Sequence, residues 1–321
     1  MRILRSVPAT ADTPIALTVG NFDGVHLGHR AMLARLSEVA RARGLPACAM
    51  TFEPHPREFF APDQAPARLT SLREKLELLA AQGLDMTYVC RFDYRFAQTS
   101  AEDFMERMLA RGLGVRHVLI GDDFRFGARR AGDFALLKQH APRLGFAVEA
   151  MSSVTLEGER VSSTAIREAL GAGQLVCAAR LLGRPYSISG RVVQGDGLGR
   201  KLGFPTANVQ MKHNRPPLAG IFAVEVAGIA NTPLPGVASL GVRPTVKQAA
   251  EPVLEVYLLD FAGNVYGRHV RVDFLHKFRD EEKFADLAAL TRRIATDVED
   301  ARAFFARRAT LQKDIGYTAA R

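Results

Sequence analysis

The chain has little cysteine and no long apolar run. Its three cysteines, Cys48, Cys90 and Cys177, lie far apart. They make neither a disulfide framework nor a Cys-x-x-Cys metal site. Free thiols suit a reducing compartment, so the cytosol is the expected location. After Arg2 and Arg5 there is no sustained apolar core with a cleavage site, which a secretory signal needs. No apolar stretch approaches the length that crosses a bilayer, so no membrane partner is expected. Internal repeats and low-complexity segments are missing too. There is no Walker A string and no Gly-x-Gly-x-x-Gly opening a helix.

With 321 residues, 47% of them hydrophobic, the chain can bury two cores and is not disordered. The net charge is +9 and the pI about 9.8. Lysines and arginines are scattered, apart from mild clustering towards the end. Such charge fits small polyanions better than nucleic acid, and no nucleic-acid partner is expected. The oligomeric state stays open.

The organising stretch is Gly20-Asn21-Phe22-Asp23-Gly24-Val25-His26-Leu27-Gly28-His29. It follows the apolar run Ile15 to Val19, which reads as a buried parallel strand, and precedes a helical pattern carrying Leu33, Leu36 and Val39. Backbone N–H groups and a helix dipole at such a turn favour an anion, and Gly28 leaves room for close approach to the backbone. His26 and His29, three apart, can face a phosphate. A zinc pair would need a third ligand, which is not evident, and two plain surface histidines are the third option.

Strands and helices then alternate to about residue 170, with helix starts at Ser71-x-x-Glu74 and Ser100-x-x-Asp103. This order predicts a parallel sheet whose loops Gly20–His29, Phe52–Pro56, Gly121–Gly127 and Ser162–Arg167 converge at the strands' carboxyl ends. After Gly171 the pattern changes. Tyr186–Gln194, Ile221–Val226, Leu254–Asp260 and Val270–His276 read as strands without helices between them, separated by turns that include Pro233–Gly236. The expectation is a small antiparallel barrel followed by a helix over Glu281–Arg308. The domains read as 1–180 and 181–310, with a tail over 311–321.

His-x-Gly-His after a first strand resembles the nucleotidylyl transferase superfamily. The fuller set resembles a narrower family, the bifunctional bacterial riboflavin kinase/FMN adenylyltransferases, also called FAD synthetases. That set comprises Gly20 to His29, Phe52-Glu53-Pro54-His55-Pro56, Gly121 to Gly127 and Val161-Ser162-Ser163-Thr164-Ala165-Ile166-Arg167. Two departures are small: Val161 stands where isoleucine is usual, and Phe222 where tyrosine is common. The resemblance implies a Rossmann-like α/β nucleotidylyl transferase domain that adenylylates FMN with ATP to FAD and pyrophosphate. In that reaction His26 and His29 donate to the α-phosphoryl oxygens. Ser163 and Thr164, at a helix start, hold the phosphate tail, and Arg167 meets the leaving pyrophosphate. Gly20, Asn21, Phe22, Asp23 and Gly28 cradle nucleotide. Asp123 contacts flavin or nucleotide, and Phe124 and Phe126 either stack on the flavin ring or pack in the core. His55 binds or merely caps its loop.

In the second half Gly195-x-Gly197-x-Gly199 precedes Gly203-Phe204-Pro205-Thr206-Ala207-Asn208, which looks like the Pro-Thr-Ala-Asn signature of riboflavin kinase. The glycines read as a flap over ATP phosphates. Thr206 and Asn208, two apart on an extended segment, offer neutral oxygens to Mg²⁺, whose shell ATP and water complete. Glu255 shares its strand face with Val253, Tyr257 and Leu259. A carboxylate among apolar neighbours is costly unless paired, as with Arg243, or used. By resemblance it is the base for the riboflavin 5′-hydroxyl. Ser239 to Thr245 reads as barrel floor. Two rivals remain: a transferase with a passive barrel, and a nucleic-acid module, which would need stacking aromatics among basic residues.

Overall fold

A computed structural model describes residues 1–195, 197–213, 215–243 and 251–314. It divides into two compact units, Met1–Pro66 with Thr70–Ala165, and Ala67–Leu69 with Ile166–Arg321. The contact boundary thus precedes residue 180. The helix Leu175–Leu182 buries Leu175, Ala178, Leu181 and Leu182 and packs on barrel strands of the second unit.

The first unit holds a six-stranded sheet: β1 (Arg2–Leu4), β2 (Ile15–Val19), β3 (Ala47–Glu53), β4 (Met86–Arg91), β5 (Val115–Gly121) and β6 (Ala147–Met151). The strand order is β1-β4-β3-β2-β5-β6 and every pairing is parallel. All five residues of β2 are buried, as a central strand covered on both faces must be. From β2 the chain steps through β3 to β4, then crosses back to β5. That reversal opens a crevice beyond the carboxyl ends of β2 and β5. Gly20 and Gly121 stand there. The helix opened by Ser100 winds as a π-helix over Phe104–Gly112 and buries Phe104, Met105 and Leu109. A small hairpin, β7 (Thr155–Leu156) and β8 (Glu159–Arg160), precedes the helix Ser163–Gly171.

The second unit is a closed antiparallel barrel of β9 (Tyr186–Val193), β10 (Thr206–Gln210), β11 (Gly220–Ala227), β12 (Leu234–Arg243), β13 (Glu251–Leu258) and β14 (His269–Arg279). Two strands go beyond the sequence expectation. β10 contains the Thr-Ala-Asn segment. β12 starts at Leu234 and takes in Pro235 and Gly236, so Pro233–Gly236 is not a simple turn: the Pro235 carbonyl accepts from Leu259 N–H at 2.9 Å. Inside the barrel, Phe222 meets Phe274 edge to face at 5.2 Å among Val224, Leu240, Leu254 and Val256.

The period-2 alternation of β13 keeps Glu255 on one face with Val253 and Tyr257, as expected. Leu254, Val256 and Leu258 are buried, whereas Val253, Glu255 and Tyr257 are half-buried on the opposite, outer face. Glu255 is thus outside the barrel core. The terminal helix Leu287–Asp314 covers this face, packing Ile294, Val298, Ala301 and Phe305 on Ile221, Val237 and Leu259. It starts later than Glu281, because Asp286 caps it through Ala289 N–H at 2.7 Å and residues 280–286 are not helical.

Candidate active sites

In the first unit the loop after β2 is held in an unusual shape. Phe22 and Val25 have positive φ, 48° and 40°, a conformation that costs non-glycine residues of order 1–3 kcal/mol and collects at functional sites. Packing enforces it: Phe22 and Val25 are both buried. Asp23 is buried too, and its Oδ1 accepts from the Thr70 N–H at 3.0 Å and hydroxyl at 3.1 Å. It anchors the loop. Gly20 has the ring of Phe22 where a Cβ would crowd it, at 3.2 Å. Gly28 has the His26 ring at the same distance. Each glycine therefore admits a side chain of its own loop.

His26 is the N-cap of the helix Leu27–Ala42, its Nδ1 accepting from His29 N–H at 3.3 Å. The two imidazoles stack at 3.6 Å between centroids, 17° apart, and Phe22 meets His29 edge-on at 5.1 Å. The Nδ1 of His29 is sealed from solvent and finds no hydrogen-bond partner among the described residues. That leaves Nε2 for a guest. Burial, then the nearby His26 and Lys75, pushes the His29 pKa well below the ordinary histidine range. Burial thus favours the neutral ring.

His29 lines a cavity of about 690 Å³ with Gly20, Asn21, Phe22, Asp123, Phe124 and Phe126. Phe52, Phe92 and Phe96 form one aromatic wall, with rings 5.4–5.9 Å apart. Phe104, Phe126 and Phe124 form another, at 5.2 and 5.7 Å. Phe124 and Phe126 thus face the cavity while packing on each other. Three of these rings, Phe52, Phe124 and Phe126, stand in motifs, and of those only Phe124 and Phe126 were expected at the site. Phe92, Phe96 and Phe104 lay outside any motif, and only their density in that part of the chain could have marked them.

Asp123 pairs with Arg160 at 2.7 Å. His55 lines the cavity and also caps the helix Pro56–Phe60, its Nδ1 accepting from Arg57 N–H at 3.1 Å. The Ser163 hydroxyl donates to the Asp23 carbonyl at 2.9 Å, and Ser162 caps its helix through Ala165 N–H at 3.1 Å. Thr164 is exposed. Arg167 donates Nε–H to the Ala67 carbonyl at 2.6 Å.

In the second unit, strand register does the assembling. Asn208 of β10 stands directly opposite Glu255 of β13, and Thr206 opposite Tyr257. On the other side of β13, Ser239 is opposite Glu255. Residues opposite one another in a ladder share a face, so Thr206, Asn208, Glu255 and Ser239 project together. Thr206, Ser239 and Glu255 line a cavity of about 730 Å³ with Gly197, Gly199, Phe204 and Arg279. Its far wall is Phe284, Leu290, Ile294 and Val298. Ser239 therefore belongs to this site and not to a barrel floor. The rest of that motif from position 244, Thr245 included, lies outside the described residues, as do the side chains of Val242 and Arg243.

The glycine string also changes meaning. A Cβ on Gly195 would collide with the Asn208 carboxamide, and one on Gly199 with the Phe204 carbonyl and Thr206 Oγ1. Gly197 has φ +70° and Gly203 +88°, a backbone that glycine adopts without strain. A short helix, Leu198–Lys201, does follow Gly197. Pro205 immediately precedes β10, and at the start of a strand a missing N–H is tolerated. No group of three histidines, cysteines or carboxylates suited to a metal occurs among the described residues. Neutral oxygens such as those of Thr206 and Asn208 suit a cation that brings most of its shell with it.

No described helix is long and apolar enough to cross a membrane. Residues 9–165 match the FAD synthetase family and residues 182–305 the riboflavin kinase family. A protein of Escherichia coli K12 named bifunctional riboflavin kinase/FMN adenylyltransferase is 49% identical over 95% of this chain and 98% of its own. One of that name from Pseudomonas fluorescens is 50% identical over 90% of this chain and 92% of its own. A crystal structure described as a macrolide-efflux protein from Streptococcus pneumoniae superposes with TM-score 0.80 at 28% identity, covering 94% of this chain and 99% of that one.

Proposed function

The chain belongs to the bifunctional riboflavin kinase/FMN adenylyltransferase family, and from that premise we propose which residues carry each activity. The protein phosphorylates riboflavin with ATP to FMN, then adenylylates FMN with a second ATP to FAD and pyrophosphate. The kinase belongs to the barrel unit and the adenylyl transfer to the parallel-sheet unit.

In the barrel, Glu255 accepts the proton of the riboflavin 5′-hydroxyl as that oxygen attacks the γ-phosphorus and ADP leaves. Thr206 and Asn208 would hold the Mg²⁺ that accompanies ATP. The ion, when bound, neutralises charge on the phosphate oxygens. Gly195 to Gly203 frames the nucleotide beside them. The single observation that carries this assignment is the register placing Asn208 and Ser239 on either side of Glu255.

In the sheet unit, a phosphate oxygen of FMN attacks the α-phosphorus of ATP, and pyrophosphate departs. His29 donates to the α-phosphoryl oxygens, and His26 orders it by stacking and by capping the helix. Asn21, Asp123 and the phenylalanine walls take the flavin and nucleotide. Ser163, Thr164 and Arg167 serve the phosphate tail. The protein acts in the cytoplasm on small molecules, without nucleic acid. One experiment tests the whole reading: the pure protein, riboflavin, ATP and Mg²⁺, with the flavins separated by chromatography over time. FMN should appear first and FAD after it. FAD formation from riboflavin with no kinase step, or no product without an added partner protein, would refute it.

A further inference from the structure

Arg279, the last residue of β14, is the hub of the kinase cavity's far wall. Its guanidinium holds Asp297 of the terminal helix with both arms, Nε to Oδ1 at 2.9 Å and Nη2 to Oδ2 at 2.7 Å. The two side chains are 10% and 3% exposed. Arg293, one turn earlier on the helix, approaches the same carboxylate at 3.4 Å. Arg279 also sits 5.9 Å from the Phe284 ring and 3.7 Å from Glu282. It therefore fastens both the terminal helix and the 280–286 segment that leads into it. Glu281 of that segment sits against Gly241, where a Cβ would displace its carboxylate, and accepts from the Ser239 hydroxyl at 3.4 Å.

Everything so fastened is one side of the cavity. Phe284, Leu290, Ile294 and Val298 are apolar and face Thr206, Ser239 and Glu255. The two kinase substrates differ in what they ask of such a wall. ATP presents a polyanion to the glycines and neutral oxygens. Riboflavin presents a flat, largely apolar ring with a hydroxyl chain that must reach the base. A bidentate guanidinium fixes both distance and angle, which a lysine ammonium does not.

We propose that Arg279 is a positioning residue for the flavin substrate of the kinase: through Asp297 and the 280–286 segment it sets the apolar wall that holds riboflavin with its 5′-hydroxyl at Glu255. This rests on the assignment of the kinase site to the outer face of β13. Arg279 lines the cavity, but its guanidinium is committed to Asp297, so it acts through the wall it fastens.

The test compares Arg279→Lys, Asp297→Asn and Gly241→Ala in the full-length protein, with Glu255→Gln alongside. Arg279→Lys and Asp297→Asn should raise the KM for riboflavin about tenfold, a loss of roughly 1.4 kcal/mol of binding, with the KM for ATP unchanged. FAD formation from supplied FMN should be intact in both, showing a folded protein. Gly241→Ala, which disturbs only the Glu281 seat, should shift the same constant in the same direction by less. A general loosening of the barrel would move both substrate constants together, and that result overturns the proposal. So does a fall in kcat with both KM values unmoved. If Glu255→Gln keeps full kinase activity, the site assignment fails and the proposal fails with it. If Glu255→Gln is inactive while Arg279→Lys shows no riboflavin selectivity, the site stands and the wall alone is refuted.

Discussion

The two units use the same co-substrate and build cavities of nearly equal size, about 690 and 730 Å³, by opposite means. The sheet unit assembles its site from loops at the sheet's carboxyl edge, and the loop after β2 carries two residues with strained backbone. The barrel unit assembles its site from residues opposite one another in a regular ladder. The reacting groups proposed for them differ in the same way. The first offers a neutral imidazole, and the second a carboxylate. The nucleophiles explain this. FMN attacks with an oxygen that is already anionic, so the sheet unit needs donors for the charge that builds and no base. Riboflavin attacks with a hydroxyl, which must lose its proton, so the barrel unit needs an acceptor.

The sharpest way to break that comparison is Glu255→Gln. It keeps shape and removes the proton acceptor. FMN formation should fall by about 10²–10⁴ while FAD formation from supplied FMN holds, read as two separate initial rates. Equal losses in a folded variant would mean that the units do not divide the chemistry. The reciprocal change, His29→Ala, removes a charge-stabilising donor and should cost about 10²–10³ in the adenylyl step. The preparation should then accumulate FMN. Normal FAD output would take His29 out of the mechanism.

Gly195→Ala sharpens the barrel side more gently. The added methyl meets the Asn208 carboxamide, so this proposed Mg²⁺ ligand must turn away while Glu255 stays. An effect of about 10–100-fold is expected, expressed as a higher requirement for Mg²⁺ in the kinase assay. A variant with unchanged metal dependence would show that Asn208 does not serve the ion.

Which parts of this were legible in the sequence follows from how local each signal is. The parallel sheet, the barrel and the motif loops announced themselves through strand-length apolar runs and capping boxes that need no partner to be read. Asn208 facing Glu255 did not, because register depends on which strands pair. β12 was hidden because Pro235 and Gly236 look like a turn, yet each has a place in the ladder. The outward face of Glu255 was hidden because its neighbours Val253 and Tyr257 are apolar for a different reason: they lie on the face that the terminal helix covers. The glycines carry a second role that their spacing does not show. Gly20, Gly28, Gly195 and Gly199 are spaced like phosphate-binding positions, and all four make room for groups of the protein itself: Phe22, His26, Asn208, and Thr206 with the Phe204 carbonyl. Composition cannot distinguish an approaching ligand from an approaching side chain.

The smallest expected effect concerns proton balance, and it separates a donor from a base. His29 is held below the ordinary histidine pKa by burial, His26 and Lys75, so its neutral form persists through neutral pH. The rate of FAD formation should therefore show no inflection near about 6.5, the usual histidine value. Stability carries the matching sign. Between the lowered folded pKa and about 6.5 the unfolded chain binds more protons, so the contribution is intact above that value and is lost as pH falls through the window. The slope is at most about 1.4 kcal/mol per pH unit for one group. His117, buried and also lowered, chiefly by burial, adds acid sensitivity of the same sign. Comparing the pH dependence of the thermal midpoint for the parent and His29→Gln cancels His117, which both retain. The variant should lose less stability below about pH 6.5 than the parent does. Identical acid curves would mean that His29 titrates normally in the folded protein. A substantial imidazolium fraction would then face the α-phosphate near and below about pH 6.5, and the strictly neutral donor in the contrast between the units would be wrong.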